Sequence, residues 1–290
     1  MTFSEHNVNG VVFTAVNEIP VRHGFTTRLG GVDTGGHLGL NLGLNRTDNL
    51  SAVRENYRRL GSALGISCGS MVWCRQVHGT EVLESGMHNV CRFVPDGARD
   101  GDGLMSDVPG LGLIVFTADC IPILLYDTAH GAVAALHAGW KGALGGIAEK
   151  GVLAMKRRYF SRPEDIKAAI GPGIGPCCFQ VGEDVKNALF SLLGTAAEQL
   201  ISSLPAPRLH FSPEDAAEKS VPYPADAVKG KYFIDLKGAN RALLIRAGLN
   251  PESIAVSDEC TRCRPDRYWS HRYHGLSRGS QCGIIAADER

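Results

Sequence analysis

FTADCIPILLYDTAHGAVAALHAGWKG, residues 116–142, decides how this chain is read. Leu111–Phe116 and Ile121–Tyr126 form one apolar run interrupted by Thr-Ala-Asp-Cys, and Ala132–Leu136 is a further apolar run of strand length. Three short core strands in succession predict a sheet. From Gly139 to Arg158 the pattern turns helical, opened by glycines and closed by basic residues that suit the negative end of the helix dipole. Asp119, Cys120 and His137 fall where the apolar runs break or end. A carboxylate in a core strand is expensive unless compensated, so Asp119 is expected to bond backbone groups or to orient a neighbouring ligand.

Working outward, GVVFTAV and HGFTTRLGG (residues 10–31) read as β-type segments. Residues 30–49 are too rich in Gly and Asn for a regular element and predict a long loop. Val53, Tyr57, Leu60 and Leu64 recur at helical spacing, which predicts a helix over 50–64 capped by Asn49 or Ser51. MVWCRQVHGTEVLE (71–84) predicts a strand pair or a bent strand, with a turn at Gly79. Downstream the same reading gives a strand at 166–170, a Gly-Pro loop at 171–182 and a helix over 183–193. A proline-rich irregular stretch at 203–230, a last helix over 233–247 and strands at 253–256 and 283–286 follow. With no linker and no fixed repeat, one α+β domain over residues 1–290 is the simplest expectation.

Lys plus Arg and Asp plus Glu are 30 each, so the formal charge is zero, which argues against a nucleic-acid binder held by a large basic face. No window approaches the length of apolar chain that spans a bilayer, and MTFSEHNVNG carries no secretory pattern. The nine cysteines are odd in number and irregularly spaced, which reads as reduced thiols in a cytoplasmic protein.

His78, Cys120 and His137 are zinc ligands by type, and the ends of neighbouring strands converge in space. Their spacings of 42 and 17 residues match no finger pattern, so three readings stand side by side. They can be ordinary packing residues, a metal trio, or a thiolate–imidazolium pair of Cys120 and His137 for acyl transfer. GPGIGPCCFQVG lacks the Lys-Ser/Thr of a phosphate loop and reads as a rigid turn lining a pocket. Cys177-Cys178 reads as packing, and Cys260-Thr-Arg-Cys263 lacks a second cysteine pair in the sequence pattern. Arg28, Arg46, Lys141, Arg272 and Arg278 lie in polar or glycine-rich contexts, and a subset could form an anion clamp.

HGFTTRLGG, LNLG, RQVHG, GDGLMSD, TADCIPILLYD, HAGWKG, AIGPGIGPCCFQVG, FIDLKGANRALL, SDECT and YWSHR occur in that order. In this the chain resembles the YfiH/laccase-domain family, once called multicopper polyphenol oxidases and now viewed as purine nucleoside phosphorylases. The resemblance covers about residues 20 to 285. It implies a four-layer α/β/β/α fold with mixed sheets, shared with a bacterial toxin catalytic domain. It implies Zn2+ held by His78, Cys120 and His137, with copper as the alternative metal. It implies purine nucleosides and phosphate as substrates, with adenosine deamination in the same pocket, and neither nucleic acid nor membrane as partner. On it, Asp119 joins the trio as a catalytic residue. Asn41, Arg46, Lys141, Cys178 and Arg278 become substrate-binding residues, and the protein is expected to be a monomer or a homodimer. Gly39 before LNLG, His271 in YWSHR and Leu276-Ser277-Arg278 depart from the family pattern and bear on substrate preference. A copper phenol oxidase, a metal-free Cys/His hydrolase and a non-enzymatic recognition protein are the competing readings.

Overall fold

The computed structural model describes residues 1–32, 39–44, 49–90, 98–204 and 232–288. The strands are β1 (Phe3–Val8), β2 (Val11–Val16), β3 (His23–Thr26), β4 (Met71–Val72), β5 (Val82–Glu84), β6 (Gly103–Ser106), β7 (Gly112–Thr117), β8 (Ile121–Asp127), β9 (Val133–Ala138), β10 (Ile166–Ile170), β11 (Gln180–Val181), β12 (Ile201–Ser202), β13 (Tyr232–Ile234), β14 (Ile254–Val256) and β15 (Gln281–Ala286). The helices are α1 (Leu50–Leu64), α2 (Trp140–Leu144), α3 (Ile147–Tyr159), α4 (Glu183–Leu193), α5 (Leu236–Arg246) and a single turn, α6 (His271–His274).

Two six-stranded mixed sheets form the centre, in the orders β1-β2-β3-β15-β7-β4 and β14-β10-β8-β9-β6-β5. A small third sheet pairs β11, β13 and β12. The two-residue period of the strands sorts their side chains into three apolar layers. Leu113 and Val115 of β7 meet Leu124 of β8 and Val133 and Ala135 of β9 between the two large sheets. Ile114 and Ile284 point the other way, onto Val53, Tyr57, Leu60 and Leu64 of α1. Ile123, Leu125, Ala134 and Leu136 point onto Ile147, Val152 and Met155 of α3 and Leu243 of α5. Helix, sheet, sheet and helices therefore stack as four layers, as expected. Each fully buried Leu or Ile in these layers contributes about 1.5–3 kcal/mol of transfer free energy, which is why strands apolar on both faces are kept inside.

The helices at 50–64 and 183–193 fall where their periodicity placed them. Asn49 caps α1 by accepting from the Ala52 N–H at 3.1 Å, and Gly65 closes it in the left-handed region, φ 66°. Other expectations are corrected. MVWCRQVHGTEVLE is not a strand pair, because β4 runs parallel to β7 in one sheet and β5 parallel to β6 in the other. The helix expected over 139–158 is broken at Gly145-Gly146, where Gly146 takes φ 82°, giving α2 and α3. The helix expected from Phe233 begins only at Leu236, because Asp235 caps it by accepting from the Gly238 N–H at 2.9 Å, and Phe233 belongs to β13. Strand β1 escaped notice because Ser4–Asn7 is polar on an exposed edge. Most of the proline-rich stretch at 203–230 lies outside the described residues.

Candidate active site at the crossing between the sheets

β7 belongs to the first large sheet and β8 to the second, so Ala118-Asp119-Cys120 carries the chain from one to the other. The crossing is tight, and Asp119 takes φ 89°, a left-handed conformation that costs of order 1–3 kcal/mol in a non-glycine residue. Its carboxylate and carbonyl hold that conformation in place. Oδ1 accepts from Thr261 Oγ1 at 2.7 Å, Oδ2 from the Arg272 N–H at 2.6 Å, and the carbonyl from the Ile174 N–H at 2.8 Å. Asp119, directly before Cys120, thus ties the segments carrying Thr261, Ile174 and Arg272 to the crossing.

His137 comes from the end of β9, directly across the β8–β9 ladder, and is 2% exposed. His78 comes from the RQVHG turn, also in the left-handed region at φ 60°. Gln76 positions this turn by acting as a surrogate strand. Its side-chain amide donates to Phe116 O at 2.8 Å and accepts from the Phe116 N–H at 2.7 Å, at the end of β7. The ligand atoms of His78, Cys120 and His137 all lie within 4.8 Å of one another, and Cys120 Sγ is 3.9 Å from His78 Nε2. The two imidazoles meet edge to face, with centroids 5.0 Å apart. Three side chains drawn from 60 residues of sequence are thereby brought to one point.

The carboxylate that touches the trio is Asp102, which sequence reasoning left without a role. It is fully buried, and its Oδ1 is 2.8 Å from His137 Nδ1. The same carboxylate accepts from the backbone N–H groups of Val77 (3.2 Å), His78 (2.9 Å) and Gly79 (2.6 Å), a nest of donors wrapped around an anion. One residue therefore orients His137 and fixes the turn that presents His78. Burial pushes the Asp102 carboxyl up, but the hydrogen bonds from His137 and Gly79 outweigh it and hold the group below its ordinary range. In the sequence Asp102 stands in Gly-Asp-Gly, followed by only two apolar residues before Ser106-Asp107, so nothing local marks it as buried.

Electrostatically, Cys120 and His137 favour each other's charged forms. Burial raises the Cys120 thiol, yet the His137 charge and the hydrogen bonds from both histidines overcome it, and the pKa falls to about 6. Burial lowers His137, but the Cys120 thiolate and the Asp102 hydrogen bond raise it to about 9. A thiolate and two imidazoles are a donor set that suits a three-ligand zinc site, and the carboxylate on His137 Nδ1 leaves Nε2 as the ring atom that could ligate an ion. Gly139 makes room for this assembly. A Cβ there would lie 2.6 Å from His78 Cδ2 and 3.3 Å from Cys120 Sγ.

The trio forms the floor of a cavity of about 300 Å³, whose wall includes Trp73, Arg75, Phe116, Arg278 and Ser280. Among the other expected binding residues, Arg278 lines the cavity, where Nη1 also reaches Gly279 O and Ser280 Oγ. Asn41 stands behind the wall, its Oδ1 accepting from the Gly43 and Ser280 N–H groups at 2.9 and 3.0 Å. Lys141 lies exposed on α2, its ammonium 5.6 Å from the Trp140 ring centroid, and is not a lining residue. Cys178 is in a separate cluster with Cys177, Cys260 and Cys263. Arg46 lies outside the described residues. Arg28 stacks 3.8 Å over the Trp269 ring, and Arg272 reaches Gln180 O, so both brace loops.

Two mixed sheets between helical layers, with an Asp–His–Cys constellation at their crossing, define an α+β protein with a metal-type or nucleophile-type site. The chain belongs to the family described as multi-copper polyphenol oxidoreductase laccase, whose model matches residues 22–288. The purine nucleoside phosphorylase YlmD of Geobacillus stearothermophilus is 35% identical over 269 residues, 92% of this chain and 90% of that protein. Adenosine deaminase RL5, from an unknown prokaryotic organism, is 32% identical over 259 residues, 88% of this chain and 90% of that protein. The crystal structure of the hypothetical protein YfiH from Bacillus licheniformis has TM-score 0.84 and 29% identity, with 98% of this chain and 99% of that one aligned. No described helix is long and apolar enough to cross a membrane.

Proposed function

We propose that this chain is a zinc-dependent purine nucleoside phosphorylase that also deaminates adenosine in the same pocket. The observation that carries the reading is the convergence of His78, Cys120 and His137, oriented by Asp102, on the floor of a cavity lined by Arg278. The names of the similar proteins supply the substrate class. His78, Cys120 and His137 would hold the ion at the floor of the cavity. When bound, Zn2+ supplies Lewis-acid polarisation and lowers the pKa of a coordinated water to about 7.

The chain's own residues account for the rest. Phe116 and Trp73 give the flat apolar wall on which a purine stacks. Arg278 offers a fork of donors to a phosphate dianion. In phosphorolysis a phosphate oxygen attacks the anomeric carbon as the glycosidic bond to the purine breaks and the base leaves with a proton. In deamination water adds at the purine C6 and ammonia leaves. Asp102 stays ionised throughout and fixes His137 in one tautomer.

The test is adenosine turnover by zinc-loaded protein with and without phosphate, separating adenine from inosine by chromatography. Adenine only with phosphate, and inosine without it, is the expected result. Neither product from a sample containing zinc overturns the proposal.

A second reading draws on the same geometry. Asp102, His137 and Cys120 are linked as an acid–base–nucleophile chain, and the thiol pKa of about 6 is that of an activated nucleophile. As a metal-free cysteine hydrolase the protein would not need His78. His78→Gln therefore separates the two, abolishing phosphorolysis in the first case and sparing hydrolysis in the second. The copper-oxidase reading has no support from ligand number: the described residues offer groups of three and four ligands, not the ten or so that several coppers require.

A further inference from the structure

A second cluster of thiols lies behind the crossing. The loop after β10 delivers Cys177 and Cys178, and the segment after β14 delivers Cys260 and Cys263. An isolated bridge between Gly173 and Cys260 holds the two segments side by side. The adjacent cysteines thus supply the second pair that Cys260-Thr-Arg-Cys263 lacks in sequence.

The four sulfurs lie within 4.8 Å of one another, with Cys177–Cys263 at 3.6 Å and Cys178–Cys263 at 3.5 Å. A disulfide needs about 2.05 Å. Four sulfurs placed about 2.3 Å from one central ion stand about 3.8 Å apart along the edges of a tetrahedron. The spacing is that of ligands around a single ion, and a cluster of several irons would spread the sulfurs wider.

The surroundings are arranged for negative sulfur. Gly175 N–H donates to Cys260 Sγ at 3.2 Å, and Arg262 Nη1 to Cys178 Sγ at 3.5 Å. A Cβ on Gly175 would sit 3.2 Å from Cys260 Cβ and 3.3 Å from Cys177 Sγ, so any side chain there would crowd the sulfurs. The Lys237 ammonium, also buried, donates to Ser257 O at 2.7 Å and Glu259 O at 2.8 Å, on the chain leading into Cys260. Four thiolates around a dication carry a net charge of −2, and Arg262 with Lys237 bring +2 to the same region. All four cysteines are buried, so no position is left open to solvent or substrate, which is the mark of a structural rather than a catalytic zinc.

We propose that Cys177, Cys178, Cys260 and Cys263 bind one Zn2+ as a closed structural centre, separate from the His78–Cys120–His137 site. The ion ties the two loops together. Thr261, between two of its ligands, donates to Asp119, which sets the direction of Cys120. The centre therefore positions the trio without touching substrate.

Metal analysis of the purified full chain, expressed with zinc, tests this. Wild type is expected to hold two zinc ions per chain, Cys263→Ser one and His78→Ala one. Equal zinc in wild type and Cys263→Ser overturns the proposal. So does a wild-type intact mass showing disulfides in place of metal, or one iron in place of the second zinc. Should Cys263→Ser fail to fold, His78→Ala reconstituted with Co2+ decides. Intense sulfur-to-cobalt charge transfer with tetrahedral d–d bands is expected, and its absence overturns the assignment. Failure at the trio instead gives one zinc in wild type and none in Cys263→Ser, so the two sites are judged independently.

Discussion

At the scale of single residues, the site depends on two positions with no chemistry of their own in the usual sense. Gly139 has an ordinary backbone conformation, so its requirement is purely one of space. Gly139→Ala drives a methyl against His78 and is expected to cut activity by about 10²-fold, the order caused by an ångström of misplacement. Overall stability should change little, and zinc content read beside thermal melting distinguishes displacement of His78 from unfolding. Asp102→Asn keeps the volume but leaves one oxygen to serve three N–H groups and a histidine. A loss of 10–100-fold in zinc affinity is expected, measured by competition with a chelator. His78, Cys120 and His137 could be picked out from residue type and position at strand ends. Asp102 could not, because an Asp between glycines reads as a turn until β6 and β9 are seen to pair around it. The partnership of Cys177-Cys178 with Cys260 and Cys263 was hidden for the same reason, since it spans 86 residues between its most distant members.

At the scale of elements, the local signals held and the pairings did not. The periodicity of α1 and α4 is a property of neighbouring residues and could be read directly. That β4 and β5, or β7 and β8, join different sheets is a non-local choice made by the layers that cover each face. Element junctions also carry a pH dependence. His23, at the start of β3, accepts from the Val16 N–H at Nε2 (2.9 Å), while Nδ1 lies 2.7 Å from Val21 O. This arrangement requires the neutral ring, and burial lowers its pKa below the ordinary value. The unfolded chain takes up a proton near pH 6.5 while the folded one does not. The contribution to stability is thus present above about pH 6.5 and lost as pH falls below it, by at most about 1.4 kcal/mol per pH unit. Urea denaturation across this range should show a shallower loss in His23→Gln than in wild type.

At the scale of the molecule, most of the apolar layer between the two large sheets lies away from the pocket, which it meets at Cys74. Leu124 is fully buried there, on the face of β8 away from the helices. Leu124→Ala is expected to cost about 2–5 kcal/mol with the proposed adenosine turnover unchanged per folded molecule. Equilibrium unfolding and turnover measured on the same sample check both halves. The strands apolar on both faces at residues 111–136 and the helical pattern after Gly139 made an α+β class legible, whereas the four-layer order was implied only by the family resemblance, because which sheet each strand joins is a non-local choice.

The three-residue passage from β7 to β8 has a consequence for length rather than identity. One inserted residue adds about 3.8 Å of chain, comparable to the whole separation of Cys120 Sγ from His78 Nε2, so the passage has no slack. The turn at the far end of β8, residues 128–131, closes on Asp127 instead and carries no part of the trio. Random insertion of single codons along the gene should therefore divide the two ends of β8 sharply, with tolerance at the distal turn and silence at the crossing.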